Sequence, residues 1–229
     1  MAVLGAMGIA CLCAQSQQPD EAAILRGVDA AVKARLDGIA SYTVTEHYAV
    51  YRGADEFHPA AEMTVKTTYN GETGKSYAIL SRSGSAVLQK LVLNSILENE
   101  KRINEPGVRE GSWLTSANYE MKLMPGGPER LNGRDCFVLS ISPRHKAPNL
   151  VIGTIWVDLR DESIVQIKGT ASKSVSSFTG PTDLMRQYTM IDGFAEATHA
   201  RAVSDGFLFG KTVVTIDYSG YKIEPRTTP

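Results

Sequence analysis

The chain has 229 residues, 43% hydrophobic and 21% charged, a balance that excludes a disordered polypeptide and is sufficient for a sizeable buried core. Its formal net charge is -1, and Lys and Arg are scattered among Asp and Glu, which excludes the basic footprint of a nucleic-acid binder. No interdomain linker, internal repeat or low-complexity tract divides the sequence, so residues 19–229 are expected to form a single domain.

Met1 to Ala14 carries no charged side chain and gives way abruptly to Gln15-Ser16-Gln17-Gln18. This profile predicts a signal peptide over residues 1–18, although a basic leading region is missing, and it is shorter than the roughly 20 apolar residues a membrane helix needs. A buried N-terminal strand or helix is the alternative. Cys11 and Cys13 are expected to leave with that peptide. Lipidation of one of them is the competing reading, but Gly8-Ile9-Ala10-Cys11 lacks the large aliphatic residue of a bacterial lipobox. Cys136 is then the single mature cysteine, which excludes an intramolecular disulfide, and its place in the run Cys136-Phe137-Val138-Leu139-Ser140-Ile141 suits a small buried hydrophobe.

From Asp20 to Ala40, Ile24, Val28, Ala31, Val32, Leu36 and Ile39 recur three and four apart behind a capping Asp20, which predicts an amphipathic helix. Tyr42 to Tyr51 alternates, with Tyr42, Val44, Tyr48 and Val50 on one face and Thr43, Thr45 and His47 on the other, the signature of a strand. Met63 to Tyr69 repeats the pattern through Met63, Val65 and Tyr69, and Asn70-Gly71 turns the chain into a third strand, Lys75 to Ser81, bearing Tyr77 and Ile79. A second helix is predicted from Ser85 to Asn104, with Val87, Leu88, Leu91, Val92, Ile96, Leu97 and Ile103 on its apolar face, and Glu105-Pro106-Gly107 stops it. Strands follow at Asn118 to Met124, with Tyr119, Met121 and Leu123 in phase, then at Arg134 to Ser142, Val151 to Asp158, Ser163 to Thr170, Leu184 to Met190, Glu196 to Ser204 and Phe207 to Ile223. Turn chemistry between consecutive strands implies an antiparallel meander. The expected fold is therefore mainly β, with about ten strands in one curved sheet and two helices across one of its faces.

Catalytic signatures are absent from the sequence. His47, His58, His145 and His199 fit no metal-ligand spacing, and there is no GxSxG elbow, phosphate loop or dinucleotide fingerprint. Ser219-Gly220-Tyr221-Lys222 spells S-x-x-K, but on an alternating strand pattern and without companion motifs. Glu46 falls on the apolar phase of the first strand, where it is either a buried carboxylate or an edge residue reaching solvent. No metal or cofactor is expected. A curved sheet under two helices encloses an interior that is packed solid or hollow, and the residues alone favour a solid one.

Gly153-Thr154-Ile155-Trp156-Val157-Asp158, Ser163-Ile164-Val165-Gln166-Ile167, Leu208-Phe209-Gly210-Lys211-Thr212 and Thr215-Ile216-Asp217-Tyr218, together with the helix, three strands and helix of the first half, resemble LolA-like outer-membrane lipoprotein-sorting proteins, the periplasmic lipoprotein carrier superfamily. The resemblance implies an incomplete, half-open antiparallel barrel lidded by helices. Its apolar cavity would receive the acyl chains of a lipoprotein or another lipid in transit across the periplasm, without a cofactor. On that reading Tyr42, Val44, Tyr48, Val50, Met63, Val65, Tyr69, Tyr77, Ile79, Tyr119, Met121 and Leu123 line the cavity, and Leu88, Leu91, Val92 and Ile96 belong to the lid. An inner-membrane donor complex and an outer-membrane acceptor are the implied partners of a monomeric carrier. The family's lid-latching arginine has no evident counterpart in this sequence. The competing readings are a lipid-responsive envelope-stress sensor or interaction domain of the same fold, an outer-membrane β-barrel and an unrecognised hydrolase. The barrel suits poorly the Thr, Lys, Arg and Asp on the outward phases.

Overall fold

The computed structural model describes residues 20–147, 149–173, 179–206 and 210–227. The expected signal peptide, Cys11, Cys13 and the Leu208-Phe209 part of the last strand pattern lie outside them. The Asp20 carboxylate accepts the Ala22 amide at 3.0 Å and caps helix α1, Glu21–Gly38, with Glu21 in the first turn where the helix dipole favours an acid. The helix runs without a loop into strand β1, Ile39–Arg52, in which Tyr42, Val44, Glu46, Tyr48 and Val50 are all buried. Strands β2, Ala61–Asn70, and β3, Gly74–Gly84, follow as a hairpin, and the Asn70 side chain accepts the Glu72 and Thr73 amides to shape its turn.

Ser85 caps a continuous second helix made of α2, Ala86–Leu88, a π-helical turn at Gln89–Leu93, and α3, Asn94–Ile103. The wider turn absorbs one extra residue, so Leu88, Leu93 and Leu97, spaced five and four apart, form the buried stripe. The regular helical spacing had placed Val87 and Leu91 inward and Gln89 outward. Instead Val87 and Leu91 are exposed, while Gln89 is buried and donates through Nε2 to the carbonyls of Glu62 and Ser83 at 2.6 and 2.7 Å.

Eight further strands complete the chain: β4, Tyr119–Leu123; β5, Glu129–Leu131; β6, Arg134–Pro143; β7, Val151–Asp158; β8, Ile164–Ala171; β9, Thr179–Ile191; β10, Phe194–Gly206; and β11, Gly210–Pro225. All pairings are antiparallel, in the order β3-β2-β1-β11-β10-β9-β8-β7-β6-β4, with β5 hydrogen-bonded to β6. A simple meander would leave the first and last strands at the edges. Here β1 and β11 pair through twelve registered positions in the middle of the sheet, and the edges are β3 and β4, joined by the second helix. The result is one open sheet, not a closed barrel, and no helix among the described residues is long and apolar enough to cross a membrane.

Curvature has local causes. Register shifts interrupt β1 with β11, β2 with β3, β7 with β8 and β9 with β10, each adding bend and twist. Gly153 and Gly169 face each other across β7 and β8, so close that a Cβ on Gly153 would stand 2.2 Å from the Lys168 carbonyl oxygen. On the concave side, a row one residue wide crosses the sheet through Arg82, Met63, Tyr48, Ile216, Ala200, Arg186, Ile167, Ile155, Leu139 and Leu123.

Two filled clusters occupy that concave side. Under the second helix, Leu88, Leu93 and Leu97 pack on Tyr48, Val50, Met63, Val65, Val214 and Ile216. Under the first half of α1, Ile24 and Val28 pack on Tyr119, Met121, Leu139, Ile141, Ile155 and Val157.

Candidate functional site

Between the two clusters the helices and the sheet frame a half-open cavity of about 470 Å3. The second half of α1 roofs it with Ala31, Val32, Ala34, Arg35 and Leu36, and the end of α3 adds Glu100 and Ile103. Small residues on that stretch of α1 leave the helix without the side chains needed to fill the space beneath it. The loop after α3 contributes Arg109, Trp113 and Leu114, and the sheet forms the floor through Tyr42, Glu46, Tyr69, Lys75, Ile164, Ile167, Arg186, Tyr188, Glu196, Tyr218 and Tyr221. Part of the lining is therefore mainly apolar, from Val32, Leu36, Leu114, Ile164 and Ile167 with Asp161 and Ser163 beside them, and the rest is built largely of tyrosines and charges. This departs from the apolar interior that the family resemblance implies.

The charges are arranged as ties between helix and sheet. Arg35 of α1 donates to Glu196 of β10 through Nε at 3.0 Å and Nη2 at 2.8 Å, and to the Ala195 carbonyl at 3.1 Å. Burial opposes the Arg35 charge, yet Glu196, itself only 2% exposed, outweighs it and holds the guanidinium above its ordinary range. At the other helix, Lys75 of β3 donates to Glu100 of α3 at 3.0 Å, and Arg186 of β9 approaches the same carboxylate at 3.8 Å. Burial pushes the Glu100 carboxyl up, but Lys75 and then Arg186 pull it further down, leaving it below the usual carboxylate range. Burial likewise works against the Lys75 ammonium and is overcome by Tyr42, Glu100 and Glu46.

Glu46 is 3% exposed on a central strand, which settles the choice between buried carboxylate and edge residue, and it accepts the hydroxyl of the fully buried Tyr48. Tyr42 stacks on Tyr69 with ring centroids 5.0 Å apart, and Tyr221 tilts against Tyr42 at 5.8 Å. Burial raises the phenols of Tyr42, Tyr218 and Tyr221, so each is a neutral hydrogen-bonding group at physiological pH.

Of the residues expected to line a cavity, Tyr42 and Tyr69 do so. Tyr48, Val50, Met63, Val65 and Leu88 lie in the filled cluster beneath the second helix, with Tyr77, Val92 and Ile96 packed beside it. Val44 joins Ile39 and Tyr42 in a small cluster of its own, and Tyr119, Met121 and Leu123 belong to the cluster under α1. Ile79 and Leu91 are 45% and 51% exposed, Ile79 because it sits on edge strand β3 beside the bulge that Leu80 makes. The residues sequence reasoning missed are Arg35, Lys75, Glu100, Ile164, Ile167, Arg186 and Glu196. Arg186 did carry a signal, since it shares the phase of Leu184 and Tyr188 on its strand.

Glu46 and His47 project from opposite faces of β1, and Asp158 is tied to Arg134 beyond the cavity, so these three possible catalytic groups do not meet. His47 contacts Thr64 and Glu62, His199 contacts Asp217, and no metal-binding group of three side chains occurs among the described residues. Ser219 and Lys222 of the S-x-x-K sequence both lie within β11.

Solved structures that span most of the chain include three of similar extent. A LolA superfamily protein from Nitrosomonas europaea is 14% identical over 91% of this chain and 94% of its own, with a TM-score of 0.44. A DUF1329 family protein from Desulfovibrio piger is 15% identical over 88% and 93%, with a TM-score of 0.45. A Vibrio parahaemolyticus domain assigned to outer membrane lipoprotein sorting is 15% identical over 86% and 91%, with a TM-score of 0.47. No family model and no curated protein matches this chain.

Proposed function

We propose that this chain is an exported periplasmic binding protein that holds an acyl chain of a lipoprotein or another lipid between its sheet and its helices, for transfer toward the outer membrane. The observation that carries the reading is the cavity itself: an unfilled space of about 470 Å3, lined in part by Val32, Leu36, Leu114, Ile164 and Ile167, in a molecule whose remaining concave surface is packed. That volume falls in the roughly 300–1,000 Å3 range of small-molecule sites and suits one ligand at a time. Burying a dozen methylenes yields on the order of 10 kcal/mol before ordering costs, sufficient for stable binding. Release is served by the ionic ties, because Glu100 and Arg35 connect the helical roof to the sheet across its rim.

Native mass spectrometry of the mature protein, with and without phospholipid or acylated peptide, tests this. A bound lipid-sized mass that disappears in Ile167→Glu or Val32→Glu is expected. A bare protein mass under every condition would sink the reading.

A further inference from the structure

Every cation in the cavity wall except one is held by a carboxylate or a backbone carbonyl within hydrogen-bond distance. Arg35 is held by two bonds to Glu196, Arg109 donates to Glu110, Tyr69 and the Gly71 carbonyl at 3.2, 3.2 and 2.7 Å, and Lys75 donates to Glu100 at 3.0 Å. Arg186 differs. Its nearest carboxylate among the described residues is Glu100 at 3.8 Å, beyond hydrogen-bond distance and already committed to Lys75. Its side chain is nevertheless 38% exposed, into the cavity it lines.

Its position sharpens the contrast. In the concave row Arg186 stands between Ala200 and Ile167, where the charged lining meets the apolar one, with apolar residues on both sides and the row's other charge, Arg82, at its far edge. A guanidinium kept on the floor of a pocket with no carboxylate at hydrogen-bond distance among the described residues is a waiting partner for an anion, because it presents a fork matched to carboxylate or phosphate oxygens. Tyr188 shares a side-chain hydrogen bond with it and Tyr218 lies beside it, but neither phenol brings a negative charge to balance it. Glu46 faces the same space and would repel an anion, but Lys75 lies in its field as well as in that of Glu100, leaving Arg186 as the accessible positive group.

We infer that the cavity selects single-chain amphiphiles with one anionic head group, carboxylate or phosphate, whose head is seated on Arg186 and whose chain runs along Ile167, Ile164, Val32 and Leu36. The inference rests on the lipid-binding reading above and names its ligand class. Binding would draw Arg186 away from Glu100 and leave that carboxylate wholly to Lys75, so head-group capture and the tie on α3 compete.

The test is isothermal titration with laurate, lauryl phosphate, lauryl alcohol and inorganic phosphate, the two anionic amphiphiles distinguishing a fatty-acid head from a phospholipid-type head. Wild-type protein is expected to bind laurate, lauryl phosphate or both more tightly than lauryl alcohol. Arg186→Gln should weaken the anionic amphiphiles about ten- to a hundred-fold, the scale of a lost charge-assisted hydrogen bond, and leave the alcohol within about two-fold. Arg186→Lys should recover part of the loss, and Glu100→Gln should tighten anion binding, an effect of opposite sign that damage to the fold does not mimic. Circular dichroism confirms that each variant is folded, and if Arg186→Gln is not, the Glu100→Gln result alone decides. Equal affinity for laurate and lauryl alcohol, unchanged in Arg186→Gln, overturns the anion preference and leaves the lipid-binding reading standing. Inorganic phosphate binding as tightly as lauryl phosphate overturns the requirement for a chain. Failure of every amphiphile to bind overturns both readings.

Discussion

Helix α1 changes character halfway along. Its first turns put Ile24 and Val28 into a filled cluster, whereas its later turns place Ala31, Ala34 and Arg35 over open space. The second helix repeats the change, with Leu88, Leu93 and Leu97 packed on the sheet and Glu100 and Ile103 at the cavity rim. Large branched residues interdigitate with the sheet, while alanines and a long charged side chain hold the backbone off it. A single scaffold thus has two rigid abutments and a hollow between them, and the hollow depends on the abutments for its shape.

That division makes stability and binding respond to different residues. Leu93 and Leu139, both fully buried in the filled clusters, should lose about 2–5 kcal/mol on replacement by Ala, read as a fall in the urea midpoint. Leu36→Ala, at the cavity wall, should cost less than about 1 kcal/mol on the same scale and act on ligand affinity instead. Equal losses at Leu93 and Leu36 would erase the distinction between filled and hollow regions.

Arg35→Ala comes next. It removes the partner of a carboxylate that is 2% exposed, and about 3 kcal/mol of destabilisation is expected, the penalty of an uncompensated buried charge. The double variant Arg35→Met with Glu196→Leu should regain most of it, because the pair is needed by its members more than by the fold. A double variant as unstable as the single one would show that the tie itself holds α1 in place.

Gly153→Val should cost about 1–3 kcal/mol by overpacking, since backbone atoms of β8 already stand where its Cβ would go. Acid tests the α3 tie. Because Lys75 and Arg186 hold the Glu100 carboxyl below its unfolded value near 4.5, its contribution is present above that value and lost as pH falls through the lower folded value. The urea midpoint should therefore decline below about pH 4.5, and Glu100→Gln should flatten part of that decline.

The local elements were legible because their causes are local. Alternating Tyr, Val and Thr wrote β1 and β2, Asp20 marked the start of α1, and Ser85 and Pro106 bracketed the second helix. Two features were not legible for definable reasons. Pairing of β1 with β11 joins residues about 180 apart in sequence, as in Ile39 with Pro225, and no local pattern encodes that distance. The π turn hides in an ordinary helical sequence, so a face assigned at regular spacing slips by one residue and misplaces Val87, Leu91 and Gln89. Most of the cavity lining was not legible for a related reason. The apolar residues of the first strands are the conspicuous ones, and conspicuous apolar residues were used to fill the core, while the hollow is floored by Arg186, Lys75 and Glu196, which a search for an apolar site passes over.

The smallest expected effect is also the cleanest check on the π turn. Val87 and Leu91 are 55% and 51% exposed, so replacing either with Ser should shift stability by no more than about 0.5 kcal/mol. Gln89→Leu carries the opposite expectation, because the carbonyls of Glu62 and Ser83 would lose the shared donor that the buried Gln89 supplies, a cost of about 1–3 kcal/mol. A regular α-helix through this segment predicts the reverse ranking, with Leu91 costly and Gln89 neutral. The order of these two midpoints therefore reports whether the extra residue lies where the buried stripe of Leu88, Leu93 and Leu97 requires it.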